Sequence, residues 1–480
     1  MKDLTQLALD IAKASGATYA DIRIVEGQNE TIAIKNGRVE ELITSTDYGF
    51  GVRVIADGAW GFAGSFLVER DEIERVARLA VEIAKASAMI KKQDIAIAPA
   101  PVIQDTYRSP MEIDPFTISL EDKLALLSKA EEIVRKTPGV SISSASMSIS
   151  REKKVFASLE GSYIEQEITE TGAGLDAIAI KESDIQERSY PNSHGGNFST
   201  AGYEFIQGLR LEDNAARIGE EAVKLLSAKE CPSGEFTVVL DGSQLALQVH
   251  ESCGHPVELD RVLGMEASYA GTSFLTLDKL NTFRYGSPVV NISADATVPG
   301  ALGTFGYDDE GIPAQKFDIV QGGMFVGYLT SRETAVILGQ QSNGCMRADG
   351  WGRVPLVRMT NINLLPGDSS LEELIDGVKD GLYLATNRSW SIDDKRLNFQ
   401  FSTQIGWEIK NGKLGAMVKN PNYTGITPEF WNSCDGIAGQ DEWGIWGVPN
   451  CGKGEPMQVA HVAHGTAPAR FRNIKVGVGR

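Results

Sequence analysis

The chain has 480 residues, of which 42% are apolar, and its formal net charge at pH 7 is -18. This length exceeds what one ordinary hydrophobic core serves, so two or three domains are expected, and the acidic excess argues against nucleic acid as a partner. No window approaches the ~20 apolar residues that span a bilayer, and the chain does not begin with a basic stretch followed by an apolar run. We therefore expect a cytoplasmic protein without a membrane segment.

The first half is predicted to combine helices with antiparallel strands. Apolar residues at helical spacing predict helices at 4–11, about 71–89, 120–137 after a Ser119 cap, and 213–226. Strand-like runs lie at 22–25, 31–35, 39–44, 50–55, 60–62, 140–150, 153–158 and 163–171. Asn36-Gly37 and Asp57-Gly58 are hairpin turn signals. Residues 91–117, which contain four prolines, are predicted to be a connector.

The second half is predicted to be dominated by strands. The segment Lys229-Glu-Cys-Pro-Ser-Gly234 breaks the pattern, and we place a boundary there, with an N-terminal α+β domain over 1–230 and a C-terminal β-rich catalytic domain over 231–480. A strand at 236–240 leads into a helix, and short strands with Gly-rich turns follow beyond about residue 286. This spacing predicts an antiparallel sheet that is curled or closed like a barrel. The predicted fold class is α+β.

The most informative segment is His-Glu-Ser-Cys-Gly-His, residues 250–255. Asp241 is the predicted N-cap of the helix that enters it, with Gln244 in a capping-box-like position. The imidazoles of His250 and His255 can supply nitrogen ligands to Zn²⁺, and the adjacent Glu251 can take a proton from water. A lone buried histidine is more often a hydrogen-bonded core residue, but two of the five histidines within six residues, beside a glutamate, favour a metal site.

The spacing of these histidines is unusual. They are five residues apart, which on a regular helix turns the second about 140° away from the first. Gly254 permits unusual backbone angles, and Pro256 biases His255 away from the α conformation. We therefore predict that the helix unwinds or bulges in its last turn, which brings His255 back toward His250.

A catalytic zinc ion usually has three protein ligands. The candidates for the third are Cys253, Cys434, Cys451, Glu258, Asp260, His461 and His464. Cys434 and Cys451 both lie in turn-forming segments suited to presenting a thiolate, and the residue pattern does not choose between them. The five cysteines of the chain are odd in number and dispersed, which predicts reduced thiols rather than a disulfide framework.

These residues resemble the TldD/PmbA family, and specifically its metal-bearing TldD branch. The likeness rests on His250-Glu-Ser-Cys-Gly-His255 after a strand-to-helix entry. It is supported by Gly303-Thr-Phe-Gly-Tyr-Asp-Asp-Glu-Gly311, Arg347-Ala-Asp-Gly-Trp351 and Cys451-Gly-Lys-Gly454. The resemblance covers essentially the whole chain, most clearly from about 236 to 480, and the companion PmbA branch lacks the histidine motif.

The resemblance implies a zinc metalloprotease that acts on unfolded or extended peptides, in leader-peptide trimming and in degradation of small unfolded proteins. It implies one Zn²⁺ per metal-bearing subunit, with His250, His255 and Cys451 as ligands and Glu251 as general base. It also implies a dimer with a TldE/PmbA-like subunit, or with a second copy, that encloses the site. The family was once described as a modulator of DNA gyrase, and the acidic charge argues against direct DNA binding.

The chain departs from the family pattern near its C-terminal motif, where Glu455 replaces a more usual Gln and two further imidazoles occur. We expect His461 on the surface, and the role of His464 stays open. Two other functions compete with proteolysis. One is a non-catalytic partner subunit with a structural metal, which a closed four-ligand site would favour. The other is a metal-dependent amidase of small substrates, which a narrow pocket would favour.

Overall fold

A computed structural model of the chain describes residues 1–269 and 271–477. The elements of the first half are α1 (Lys2–Ala14), β1 (Tyr19–Lys35), β2 (Arg38–Ala56), β3 (Ala59–Ser65), α2 (Arg70–Ala88), β4 (Gln104–Arg108), α3 (Leu120–Lys136), β5 (Val140–Ser158), β6 (Tyr163–Lys181), β7 (Asp184–Tyr190), β8 (Asn197–Ser199), α4 (Tyr203–Gly208) and α5 (Leu211–Leu225). Ser119 caps α3 by accepting a hydrogen bond from the backbone N–H of Asp122, as its position in the sequence predicts.

The strands of the first half form one eight-stranded sheet in the order β3-β2-β1-β5-β6-β4, with β7 and β8 also paired to β6. All of these pairs are antiparallel except β4 with β6. Apolar residues on one face pack against α1 and α2 at one end and against α3 and α5 at the other. The hairpins at Asn36-Gly37 and Asp57-Gly58 are confirmed, and all four residues have positive φ.

The opposite face of this sheet lies against the second half of the chain. Arg23 and Arg53, on β1 and β2, form buried ion pairs with Asp309 and Glu310, respectively. Because helices cover one face and the second half covers the other, every residue from Tyr19 to Val25 is buried. Asp309 and Glu310 belong to the segment Gly303–Gly311, which therefore lies at the contact between the two halves of the molecule.

The elements of the second half are β9 (Lys229–Glu230), β10 (Gly234–Leu240), α6 (Gly242–Val249), α7 (Leu259–Val262), β11 (Ile292–Asp295), β12 (Lys316–Gln321), β13 (Met324–Phe325), α8 (Arg332–Ile337), β14 (Met346–Arg347), β15 (Leu356–Val357), β16 (Ile362–Leu364), α9 (Leu371–Asp376), β17 (Asp380–Ile392), β18 (Asn398–Lys410), β19 (Lys413–Lys419), β20 (Asn422–Ile426), α10 (Thr427–Asn432), β21 (Cys434–Ile437), β22 (Gly444–Lys453), β23 (Gln458–Thr466) and β24 (Ala469–Val476). A π-helical turn at His250–Gly254 and a 3₁₀ turn at His255–Val257 follow α6.

Five of these strands close into a barrel in the order β17-β10-β24-β20-β18, because β17 also pairs with β18. All eight residues of α6 are buried. Gln244 in this helix donates to the hydroxyl of Tyr423 on β20 at 2.9 Å and accepts from Asn387 on β17 at 3.3 Å. The helix that leads to the histidine motif is therefore fastened to the barrel wall.

The α+β class and the barrel-like second half are confirmed, and strand content (42%) exceeds helix content (25%). The prediction of two separate strands at 22–25 and 31–35 is wrong, since both runs belong to β1. Polar residues between them remain in the strand because β1 pairs with β2 and β5 along both edges. The predicted connector at 91–117 contains β4. The division of the chain at residue 230 stays a prediction. Among the described residues, no helix combines the length and apolar character needed to cross a membrane.

Candidate metal centre

The helix that carries the motif begins where the sequence predicts. Asp241 is the N-cap of α6, and its carboxylate accepts a hydrogen bond from the backbone N–H of Ser243 at 2.9 Å. The same carboxylate accepts from the hydroxyl of Tyr383 at 2.7 Å. The predicted capping-box role of Gln244 is wrong, because its side chain is bound to Tyr423 in the barrel.

The predicted distortion at the end of this helix is confirmed, but its cause differs from the expected one. The backbone N–H of His255 donates to the carbonyl of His250, which makes a π-helical turn. In such a turn residues five apart are neighbours, and the two imidazole centroids lie 4.9 Å apart. His255 has φ -59° and ψ -39° and Gly254 has φ -81°, so neither residue leaves the right-handed helical region.

At Gly254 it is packing, and not the backbone angle, that disfavours a side chain. A Cβ at this position would lie 2.0 Å from Sδ of Met359, a distance that real contacts do not allow. The absence of a side chain lets Met359 approach the π-helical turn. The turn therefore forms with ordinary helical backbone angles beneath a closely packed methionine.

Three donor side chains converge at this turn. Ligand atoms of His250, His255 and Cys451 all lie within 4.8 Å of one another, and each of the three residues is 3% exposed. Cys451 Sγ lies 3.7 Å from Nε2 of His255. Around a tetrahedral zinc ion, nitrogen at 2.0–2.1 Å and sulfur at about 2.3 Å are about 3.6 Å apart. The donor set and its spacing therefore fit a zinc ion.

Hydrogen bonds outside this trio orient both imidazoles. Nδ1 of His255 lies 2.9 Å from Oε2 of Glu258. Nδ1 of His250 lies 2.8 Å from Nε2 of His464, whose Nδ1 lies 3.0 Å from the carbonyl oxygen of Ile362. Burial lowers the pKa of His250, and it lowers the pKa of His255 and His464 well below the ordinary value. All three imidazoles are thus favoured in the neutral form, in which histidine binds metals.

Cys451 lies on β22 and is held from two sides. Arg358 donates hydrogen bonds to the carbonyl oxygens of Cys451 and of Gln458 on β23. Lys453, two residues further along β22, is fully buried and donates to both carboxylate oxygens of Asp260 at 2.7 and 2.9 Å. These contacts fasten the strand that carries the thiol to α7, just beyond the histidine motif.

The electrostatic surroundings distinguish Cys451 from the two other candidate cysteines, Cys253 and Cys434. Burial acts to raise the pKa of the Cys451 thiol, but His255 and Arg358 beside it bring that pKa below the ordinary value. Burial raises the pKa of Cys253 and of Cys434 to about 12. Because the thiolate is the form that binds metal, Cys451 is the best disposed of the three.

Other residues that were candidates for the third ligand make different contacts. Asp260 is ion-paired with Lys453, and Glu258 orients His255. His464 is fully buried behind His250. Cys253 accepts a hydrogen bond from the hydroxyl of Tyr285 at 3.1 Å. Within the described residues, none of these joins the cluster of His250, His255 and Cys451.

Glu251 lies beside the trio and is paired with an arginine. The Glu251 side chain is 7% exposed, and its Oε2 accepts a hydrogen bond from Arg396 in the turn between β17 and β18. The backbone of Arg396 has φ 62°, a left-handed conformation that residues other than glycine rarely adopt. The turn directs its guanidinium toward Glu251, and the other carboxylate oxygen, Oε1, lies outside this pair.

Sequence reasoning missed two of these residues and misjudged a third. Arg358 and Arg396 lie 93 residues before Cys451 and 145 residues after Glu251, respectively, and no local pattern connects them to the motif. Glu258, considered as a ligand, instead orients His255. Its position three residues after that histidine was the available signal.

His461, expected on the surface, is only partly exposed and forms an ion pair. Its Nδ1 lies 2.6 Å from Oε2 of Glu170 on β6, so it links the barrel half to the N-terminal sheet. Burial acts to lower the pKa of His461, but Glu170 raises it above the ordinary value. Burial acts to raise the pKa of Glu170, but His461 and its hydrogen bonds lower it.

We expect this pair to stabilise the fold in a pH-dependent way. A histidine whose pKa is raised by folding stabilises the folded state at pH values below its pKa in the unfolded chain. This stabilisation is lost as the pH rises through its pKa in the folded chain. Glu170, whose pKa is lowered by folding, stops stabilising the folded state as the pH falls through its pKa in the folded chain. His461→Gln should therefore lower the melting temperature more at about pH 6 than at about pH 9. The side chain is 37% exposed, so the effect is under ~1 kcal/mol, and an equal loss at both pH values would contradict it.

Comparison with known proteins identifies the family of this chain and several of its relatives. Sequence models of the PmbA/TldA metallopeptidase family match three parts of the chain, namely domain 1 over 20–84, the central domain over 113–230 and the C-terminal domain over 233–478. A metalloprotease of Methanocaldococcus jannaschii is 33% identical over 441 residues, which cover 91% of this chain and 92% of that protein. A zinc metalloprotease TldD homolog of Saccharolobus solfataricus is 25% identical and covers 97% and 98%.

Solved structures share the fold. A proposed modulator of a DNA gyrase from Thermotoga maritima superimposes with a TM-score of 0.77 at 18% identity, over 99% of this chain and all of that chain. TldE from Thermococcus kodakarensis superimposes with a TM-score of 0.76 at 16% identity, again over 99% and 100%. The architecture described above is therefore common to these proteins.

Proposed function

The chain belongs to the PmbA/TldD metallopeptidase family, in its TldD branch, and is a metalloprotease; from this premise we propose that it hydrolyses peptide bonds in unfolded or extended peptides at a zinc site. His250, His255 and Cys451 are the proposed ligands, and Glu251 is the proposed general base. The observation that carries the proposal is the convergence of the three donor atoms within 4.8 Å.

The number of donors supports a catalytic site. Structural zinc is normally held by four protein ligands, whereas catalytic zinc has three and keeps one position for water or substrate. In the part of the chain that the structure describes, the cluster consists of two histidines and one cysteine. This favours an enzyme over the non-catalytic partner subunit with a closed metal site.

The chemistry divides between the ion and the side chains. When bound, Zn²⁺ supplies Lewis acidity, which makes water acidic near neutral pH and polarises a carbonyl group. Glu251 accepts the proton of the attacking water at Oε1 and passes it to the leaving amine. Arg396 holds the other oxygen, Oε2, and thereby orients the carboxylate. Glu258 holds Nδ1 of His255 and leaves its Nε2 directed at Cys451.

Burial supports the proposed substrate class. Each proposed ligand is only 3% exposed, so a peptide bond inside a folded protein could not approach all three. An unfolded or extended chain has a smaller cross-section than a folded domain, so the same burial excludes it less. Leader-peptide trimming and degradation of small unfolded proteins are reactions of this kind.

Metal removal tests the proposal. We expect the isolated chain to contain zinc and to cleave an unstructured peptide, to lose both properties after treatment with a chelator, and to regain both with added Zn²⁺. The control substrate is the same peptide sequence held inside a stably folded domain, which should stay intact. Zinc-loaded protein that cleaves neither substrate would contradict the proposal and favour a structural metal.

We also propose that the chain assembles with a TldE/PmbA-like subunit or with a second copy. The fold shared with TldE from Thermococcus kodakarensis supports a partner of this type, and the net charge of -18 argues against nucleic acid. Light scattering of the chain alone, and of the chain mixed with a TldE-like protein, measures the mass of the assembly. A mass of one chain in both samples would contradict the proposal.

A further inference from the structure

We propose that His464 is a positioning residue, which holds the proton on Nδ1 of His250 and thereby presents Nε2 of His250 to the metal. The inference rests on the proposed zinc site and adds a residue that acts through one of its ligands. His464 lies on β23, 214 residues from His250 along the chain, and its side chain is completely buried.

The direction of the hydrogen bonds follows from the chain of partners. A carbonyl oxygen only accepts, so Nδ1 of His464, 3.0 Å from the carbonyl of Ile362, must carry a proton. The Nε2 of a neutral His464 is then without a proton and accepts. Nδ1 of His250, 2.8 Å away, must therefore donate. The proton is placed on Nδ1 of His250, and the lone pair on its Nε2 is left for a metal.

The distance argues that His464 is not itself a ligand. Two nitrogen ligands of one tetrahedral zinc ion, each at 2.0–2.1 Å, lie about 3.3 Å apart. The 2.8 Å between His250 Nδ1 and His464 Nε2 is shorter and lies in the range of a direct hydrogen bond. The two rings are nearly perpendicular, at 83°. His464 therefore contacts the nitrogen of His250 that the metal does not use.

The two histidine ligands are thus oriented by different acceptors. Glu258 accepts from His255 with a carboxylate, and His464 accepts from His250 with a neutral ring. A further buried carboxylate would add negative charge to a centre that already contains Cys451, Glu251 and Glu258, at a cost in desolvation. An imidazole fixes the ring of His250 without adding that charge.

Two substitutions of His464 separate hydrogen bonding from space filling. In His464→Gln the longer amide reaches the position of Nε2 and can still accept from His250. In His464→Asn the shorter amide reaches only the position of Nδ1, so it keeps the bond to Ile362 and loses His250. Both variants leave a polar group in the same buried space. His461→Asn is the matched control, because His461 lies on the same strand but its ring contacts Glu170 and not His250.

The measurements are zinc affinity, by competition with a chromophoric chelator, and the thiolate-to-metal absorption of the Co²⁺-substituted protein. We expect His464→Asn to bind zinc about 10- to 100-fold more weakly with an altered Co²⁺ spectrum. We expect His464→Gln and His461→Asn to remain close to wild type. Wild-type affinity in His464→Asn, or equal weakening in both His464 variants, would overturn the positioning role while leaving the zinc site standing. A wild-type chain that binds no zinc would instead overturn the proposed function.

A measurement on the unmodified chain keeps the inference testable if a variant fails to fold. The chain has only five histidines, so ¹⁵N-histidine labelling allows the ring nitrogens to be observed individually by NMR. We expect protonated Nδ1 and unprotonated Nε2 for His464, and a protonated Nδ1 for His250. A proton on Nε2 of His464 would overturn the inference.

Discussion

Glu251→Gln is expected to abolish measurable peptide cleavage while the protein retains its zinc. The amide has nearly the same shape and can still accept a hydrogen bond from Arg396, but it cannot take a proton from water. Loss of a general base costs about 10²- to 10⁴-fold in rate. Because Glu251 is not among the three clustered donors, the metal should remain bound. The checks are kcat on an unstructured peptide and the zinc content of the same preparation.

The matched control for this substitution is Glu82→Gln, at an exposed position on α2. It makes the same chemical change far from the site and should leave cleavage and zinc content unaltered. Cleavage by zinc-loaded Glu251→Gln at the wild-type rate would remove Glu251 from the mechanism. Loss of zinc from the variant would instead indicate that the carboxylate helps to hold the metal.

Cys451→Ala is expected to lose zinc and, with it, all cleavage, whereas Cys434→Ala should retain both. Both cysteines are buried, at 3% and 2% exposure, so the two substitutions remove the same volume from equally buried positions. Only Cys451 lies beside a motif histidine, 3.7 Å from Nε2 of His255. Burial raises the pKa of the Cys434 thiol to about 12, so it remains protonated and is a poor ligand.

Zinc content and peptide cleavage, measured for both variants beside the wild type, decide this prediction. Thermal unfolding in the presence of a chelator shows whether the two truncations destabilise the metal-free fold equally, as their matched burial suggests. Zinc loss from Cys434→Ala alone would show that the third ligand is misassigned. Zinc loss from both variants would indicate that the effect comes from packing.

Several local features followed from the sequence because short-range physics determines them. The turns at Asn36-Gly37 and Asp57-Gly58 need positive φ, which these residue types tolerate. The caps at Ser119 and Asp241 need only a side-chain oxygen beside free backbone N–H groups. The length of β1 was missed, because its polar middle lacks the alternating pattern and is held in the strand by pairing on both edges.

The bulge at the end of the helix that leads to the histidine motif shows how a correct prediction can rest on the wrong cause. The five-residue spacing of His250 and His255 required a distortion, and a π-helical turn is present. Neither Gly254 nor His255 adopts the unusual backbone angles that the glycine and proline suggested. The glycine instead makes room for Met359, a residue 105 positions later in the chain that no local pattern could have indicated.

By itself, the sequence determined the type of chemistry, since two histidines and a glutamate within six residues, at the end of a capped helix, are a local pattern. It also determined the class of fold, because helical and alternating periodicity are local properties. Only the tertiary structure decided which cysteine approaches His255, that Arg396 holds Glu251, and that His464 lies behind His250. The physical reason is that these partners are between 145 and 214 residues apart. Only the packing of α6 against β17 of the barrel and against the separate β22-β23 pair brings such distant side chains together.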